Sequence, residues 1–238
     1  MLPRLLLSAA LALVPLPALA DVTAHYAVGK DGLSIEADDG GDWRVEVPGQ
    51  FSLIRRDKLD YIVLVQDKET TVFKLDDLIA LAKPKLFGAH KPSDPFTTAR
   101  FALTDGGASE VAGYKGVRWN FGPEKADPNG PSLAVVTSKD PALAPIGAVF
   151  RALEQRVEGL AAGQFGAESN FVATVRRLFE SGTPLSAAPL IVLRSVNTAE
   201  IDPKRFELPG PVLDSALLDL PGATDATTSM VPEAPPLP

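Results

Sequence analysis

The chain of 238 residues contains no cysteine. That excludes disulfides, thiolate nucleophiles, cysteine-ligated metals and acylation of a lipobox cysteine after export. Histidine is nearly as scarce. His25 and His90 are the only two, and neither has a second histidine at ligand spacing. No Asn-x-Ser/Thr acceptor occurs. Basic runs never exceed the pairs Arg55-Arg56 and Arg176-Arg177, and the formal net charge is −7. Nucleic acid and anionic membrane surfaces are therefore disfavoured as partners. Beyond residue 20 every apolar run is broken by charge, glycine or proline, so no transmembrane segment is expected in the mature chain. Phosphate loops are missing too: Asp105-Gly106-Gly107 and Gly113-Tyr114-Lys115-Gly116 read as turns between strands. No serine stands in a Gly-x-Ser-x-Gly setting. No metal site and no cofactor is expected.

What is present starts at the N-terminus. Arg4 supplies a short positive region, residues 5–19 are apolar apart from Ser8 and two prolines, and Ala18-Leu19-Ala20 is a small-x-small cleavage pattern. Residues 1–20 therefore read as a signal peptide cleaved after Ala20, with Asp21 as the mature N-terminus. Export without cysteine favours a bacterial periplasm, or secretion, over a disulfide-built eukaryotic domain. A single domain is expected over residues 21–211, and residues 212–238, ending Val231-Pro-Glu-Ala-Pro-Pro-Leu-Pro, read as a proline-rich flexible tail.

Within the domain, alternation predicts strands near 22–28, 33–37, 43–47, 51–54 and 70–75, and Tyr61-Ile62-Val63-Leu64-Val65, apolar on both faces, reads as a central strand covered on both sides. Asp31-Gly32 is taken as a two-residue hairpin turn. That register sets Val28 opposite Ile35, Tyr26 opposite Ala37 and His25 opposite Asp38. Asp76 or Asp77 opens a short helix stopped by Pro84, and residues 85–95 read as a loop. Strands follow at 98–103, 114–121, 132–138 and 190–196. Asp140 caps a helix whose apolar residues, Leu143 to Leu160, recur at steps of three and four. A second helix spans residues 169–181 and ends before Gly182. The predicted class is α+β: a curved antiparallel sheet forming a half-open β-barrel with a few helices packed across it.

Candidate chemistry is thin. A His25–Asp38 pair on the polar face of the first hairpin reads as a surface pair rather than a catalytic one. Asp38-Asp39-Gly40-Gly41-Asp42 lacks the alternating ligands of a calcium loop and reads as turn chemistry. The aromatic residues Tyr26, Trp43, Tyr61, Phe73, Phe101, Trp119 and Phe121 all fall on predicted strands. Core packing accounts for them on a flat sheet, whereas on a half-open barrel they become candidates to line an apolar ligand cavity.

Ala112-Gly113-Tyr114-Lys115-Gly116-Val117-Arg118-Trp119, Gly182-Thr183-Pro184-Leu185 and Phe206-Glu207-Leu208-Pro209-Gly210 together resemble segments of the periplasmic lipoprotein-carrier-like (LolA/LolB-like) superfamily. The resemblance implies a half-barrel of about eleven strands closed by helices around an apolar cavity. The resulting expectation is a soluble, non-catalytic periplasmic protein holding a lipid, a lipoprotein acyl chain or another amphipathic ligand. The alternative is an envelope structural or interaction protein that meets other envelope proteins through its sheet surface and proline-rich tail. A hydrolase is a third, weaker reading.

Overall fold

A computed structural model describes residues 21–66, 69–87, 100–125, 132–165 and 169–215. Residues 1–20, expected to be a signal peptide, His90 and most of the proline-rich segment 212–238 lie outside the described residues.

Eleven strands form one antiparallel sheet: β1 (Val22–Val28), β2 (Asp31–Ala37), β3 (Trp43–Val47), β4 (Phe51–Arg56), β5 (Leu59–Gln66), β6 (Glu69–Lys74), β7 (Phe101–Val111), β8 (Tyr114–Pro123), β9 (Leu133–Ser138), β10 (Thr183–Ala188) and β11 (Ile191–Asn197). Helix α1 (Leu75–Phe87) follows β6, while α2 (Ala144–Phe165) and α3 (Phe171–Glu180) separate β9 from β10. The spatial order is β6-β5-β4-β3-β2-β1-β11-β10-β9-β8-β7. Two meanders thus meet where β1 pairs with β11, Val28 lying opposite Ile191.

This order corrects the half-barrel expectation. β6 and β7 are the two margins of an open sheet and do not pair with each other. The physical reason lies in β11, which is spent joining the two meanders at the centre and so leaves their far strands apart. The β6 margin is met instead by the chain's own C-terminal segment: Val212 bridges Val72, and the Leu213 N–H donates to the Val72 carbonyl at 2.8 Å.

Two-residue turns set the register of the first meander. The β1–β2 turn is Gly29-Lys30, with Gly29 at φ +55°, a first-position glycine that suits a hairpin turn. Tyr26 therefore faces Leu33, Ala24 faces Ile35 and His25 faces Ser34. The Asp31-Gly32 turn expected from sequence is displaced by two residues, which preserves the buried face but not the partners. Asp57-Lys58 and Ala112-Gly113 take positive φ at both positions and close the β4–β5 and β7–β8 hairpins. Gly106-Gly107, expected as a turn, is a bulge within β7. A Cβ on Gly106 would stand 3.2 Å from the Arg118 carbonyl oxygen, so the strands approach closely only because the side chain is missing. Helix α1 runs to Phe87, beyond the predicted stop at Pro84 and into the segment expected to be a loop.

The inner face carries the main core. Val22, Ala24, Tyr26, Ile35, Ala37, Trp43, Val45 and Leu193 pack against Leu143, Ile146 and Val149 at the start of α2. Asp140 is a cap as expected, its carboxylate accepting from the Ala142 N–H at 3.0 Å, but what it caps is a 3-10 turn, Pro141–Leu143, that leads into α2. Gly147 lets α2 settle on the sheet, since a Cβ there would collide with the Thr183 hydroxyl. The outer face has a smaller cluster of Ile54, Val63 and Val72, with Tyr61 beside it. Residues 201–213 cross this face as a strap and place Leu208 on the cluster. Arg205 pins the strap through 3.0 Å ion pairs to Glu36 and Glu46, and Phe206 is buried.

Candidate functional site

The seven strand aromatics do not converge on one cavity. Tyr26 and Trp43 lie in the core beneath α2. Tyr26 donates to the Pro184 carbonyl at 2.9 Å and meets Phe150 edge-on. Burial pushes its phenol well above the ordinary range, so it stays neutral. Tyr61 flanks the outer cluster under the strap. Phe73 is buried opposite Ile62. Phe101 and Phe121 stack at 5.5 Å and meet Phe171 edge-on, with Phe165 stacked on Phe171 at 3.8 Å. Trp119 is half-buried and donates to the Thr137 hydroxyl at 2.9 Å, which is joined at 2.8 Å to the Ser181 hydroxyl.

The polar pairs that catalysis would use are also apart. His25 is exposed between Ser34 on one side and Ser195 on the other. Asp38, its expected partner, instead accepts from the Asp42 N–H at 2.8 Å and closes the 38–42 connection. Among the described residues no group of three or more His, Asp or Glu side chains is placed to hold a metal ion.

Among the described residues two recesses stand out. The first is an apolar groove of about 230 Å³ between α3 and strands β8–β11, lined by Phe121, Leu133, Val135, Phe150, Phe171, Val175, Leu178, Phe179, Pro184, Ala187 and Ile191. Asn170 fixes the wall by bracketing Phe101: its side chain accepts from the Phe101 N–H at 2.6 Å and donates to the Phe101 carbonyl at 2.9 Å. Those two bonds imitate a neighbouring strand at the β7 margin. On the solvent side Arg176 links α3 to Glu158 of α2, with Glu154 at 4.0 Å. Burial raises the Glu154 carboxyl above its usual range, and Glu158 and Glu180 reinforce the shift against the pull of Arg176. Near the groove, Leu190 is 57% exposed and Val28 is 36% exposed beside Ile191.

The second recess is a cleft of about 430 Å³ between the 38–42 connection and the start of α2. Its lining includes Asp38, Asp39, Asp42, Trp43 and Arg55 on the sheet side, with Ala144, Pro145, Ala148, Val149 and Arg151 on the helix side. Burial raises the Asp42 carboxyl, and the Asp38 charge adds to the shift. The Arg55 guanidinium lies 5.1 Å over the Trp43 ring and forks onto Asp60 at 2.6 and 2.9 Å. Asp60, whose side chain is 1% exposed, accepts a third bond at 2.8 Å from Arg156, which also reaches Asp76 on α1. Every charge in this chain of four is matched. The Trp43 indole N–H is not: it is buried without an acceptor, a condition that costs about 1–3 kcal/mol.

The seven predicted aromatics contribute Phe121 to the groove and Trp43 to the cleft. Sequence reasoning passed over Arg151, Val175, Phe179 and Ile191 as site residues. The signal for the groove was the apolar stripe of α3 (Phe171, Val175, Leu178, Phe179), from which no site was drawn.

No family model matches the chain, and no curated protein matches it. A solved structure titled "Crystal structure of MucB" matches at 13% identity with a TM-score of 0.30, covering 80% of this chain and 58% of that one. This chain thus spans less than two thirds of that chain's length, and a likeness at this level says nothing of its fold or role. The resemblance to the LolA/LolB-like superfamily is therefore withdrawn: no match carries it, and the open sheet lacks the half-barrel that it implied. The lipid-holding expectation falls with it, since the aromatics are dispersed and no curled sheet encloses a cavity for an acyl chain. No helix among the described residues is long and apolar enough to cross a membrane.

Proposed function

We propose that this chain is a non-catalytic interaction protein of the bacterial envelope, exported by residues 1–20 and working in the periplasm on a polypeptide partner. The observation that carries the reading is the apolar groove beneath α3 together with the exposed Leu190 and Val28 near it. Large apolar side chains left in water beside an apolar recess mark contact surfaces more often than they occur by chance. The groove has room for one or two apolar side chains of a partner, which suits a side-chain anchor. The proline-rich tail supplies a second, extended contact, as proline-rich segments do when they dock on aromatic-lined partners. The separation of His25 from Asp38 supports the non-catalytic part of the reading.

The test is photocrosslinking from position 190 of the exported full chain, with position 58 at the β4–β5 turn as the control. The expected result is a polypeptide adduct from position 190 that Val175→Asp abolishes while the fold, followed by circular dichroism, is retained. A lipid adduct, or a polypeptide adduct indifferent to Val175→Asp, overturns the reading.

A further inference from the structure

We propose that the second part of the strap, residues 207–213, is an autoinhibitory contact: it weakly occupies a docking site for an extended polypeptide segment of a partner. The site is the β6 margin together with the seat that Leu208 fills on Ile54, Val63 and Val72. It lies on the outer face and is independent of the groove beneath α3 and of the partner assigned there.

The strap divides at Phe206 into a held part and a loose one. Up to that point the Ile201 N–H donates to the Asp21 carboxylate at 2.6 Å, Arg205 pairs with Glu36 and Glu46, and Phe206 is buried. Beyond it, Glu207, Pro209, Pro211 and Val212 are exposed. A Cβ on Gly210 would meet nothing within 4 Å, so the chain stands clear of the sheet there. Leu208 is the one strap side chain packed on the outer cluster. Among the described residues, the Leu213 N–H supplies the loose part's one backbone hydrogen bond to β6, at 2.8 Å to the Val72 carbonyl. The prolines explain why there is one bond and not a ladder. Along an extended chain, groups facing the same side recur every second residue. Leu213 faces β6, so the donors before it on that side belong to positions 211 and 209, and position 211 falls against the Thr70 carbonyl. Both are proline, which has no N–H. A segment running the same way with an N–H at these two places makes the bonds the strap lacks and displaces it, as extended peptides do when they add to a sheet margin. Charge defines the segment further. The parallel register of Val212 on Val72, continued both ways, sets Asp214 against exposed Lys74 and position 209 against exposed Glu69. The partner segment that fits therefore has a leucine-like residue for the seat, a basic residue opposite Glu69, an acidic one opposite Lys74 and no proline between them.

The experiment uses the full mature chain and a fluorescein-labelled peptide of residues 207–215 carrying Pro209→Lys and Pro211→Thr, followed by anisotropy. Leu208→Asp in the chain empties the seat, and that variant is expected to bind the peptide saturably and about tenfold more tightly than the unaltered chain does. The peptide with its native prolines is expected to bind the same variant about tenfold more weakly, the worth of the missing backbone bonds. Placed in the chain itself, Pro209→Lys with Pro211→Thr should tighten the strap. Exchange of the Leu213 amide is then expected to slow about tenfold, and peptide binding to fall by a similar factor. No saturable binding to the Leu208→Asp chain, equal affinity of the two peptides, or Leu213 exchange that is unchanged or faster in the substituted chain overturns the proposal.

Discussion

The two halves of the sheet are held by different forces. In the β1–β6 half the long-range ties outside the apolar core are mainly ionic. Asp60 gathers Arg55 and Arg156 and, through Arg156, Asp76 of α1; Arg205 ties the strap to Glu36 and Glu46. In the β7–β11 half they are aromatic and neutral. Phe101, Phe121, Phe165 and Phe171 stack together, Asn170 clamps the backbone of Phe101, and Trp119 joins Thr137. Ion pairs in this half, such as Arg100 with Glu124 and Arg176 with Glu158, involve largely exposed guanidinium groups, where such pairs contribute little. One sheet thus combines a half sensitive to charge with a half sensitive to shape, and a perturbation aimed at either should leave a distinct trace.

The largest effect is expected from Asp60→Ala, which leaves two half-buried guanidinium groups without their carboxylate. A loss of about 3–4 kcal/mol is expected, read as a lowered midpoint in urea. Hydrogen exchange should localise the loosening to β4, β5 and the end of α2 facing them. Equal loosening of β7–β9 would break the comparison. Phe171→Ala comes next, at about 2–3 kcal/mol, below the cost at a fully buried site because Phe171 is only half-buried. Its penalty should be nearly the same in low and high salt, whereas that of Asp60→Ala should shrink as salt rises.

Acid should separate the halves more gently. Burial alone would raise the Glu46 carboxyl, but Arg44 and Arg205 outweigh it and hold it below its ordinary value. The folded pKa lies below the unfolded one, so this contribution is present above the unfolded value of about 4.3 and is lost as pH falls through the folded value. Thermal melts between neutrality and pH about 3 should therefore show a strap that loosens in acid by about 1 kcal/mol or less, given its exposure. Glu46→Gln should flatten that limb of the profile. An acid limb unchanged in Glu46→Gln would remove the strap from the ionic half.

How much of this was readable follows the same division. β1–β6 is a run of neighbours joined by short turns, and alternation placed each strand except β5, which its unbroken apolar run placed, though next to the margin rather than at the centre. Even the two-residue slip at Gly29-Lys30 kept Tyr26, Ala24 and Val22 on the buried face, because the side-chain period is two. The Asp140 cap and the first part of the apolar stripe, Leu143 to Leu153, were equally local and came out as expected, whereas Val157, expected on the same stripe, is 50% exposed. The pairing of β11 with β1 has no local signature. Without it an open sheet and a half-barrel predict the same string of strands. β10 was not predicted; Thr183-Pro184-Leu185 carries a proline, which usually argues against a strand, and here a register shift between Pro184 and Ser186 accommodates it. The ionic ties were invisible for a similar reason: Asp60 sits in the sequence as an ordinary charge beside a turn, and nothing near it foretells Arg156.

The place of β11 has a consequence in time as well as in space. β1 to β6 can pair in order as the chain emerges, each strand finding the one before it. β1 nevertheless keeps one flank uncovered until residues 191–197 arrive to bond with it. β7–β9 wait equally long for β10 and β11 to attach them to the rest. Closing so large a loop costs chain entropy before any contact offsets it, so the last join should be slow compared with the hairpins. Through that interval the unfinished molecule presents a bare strand edge, the element most prone to pair with the wrong chain. The latest strand made is the one that turns two half-sheets into a protein.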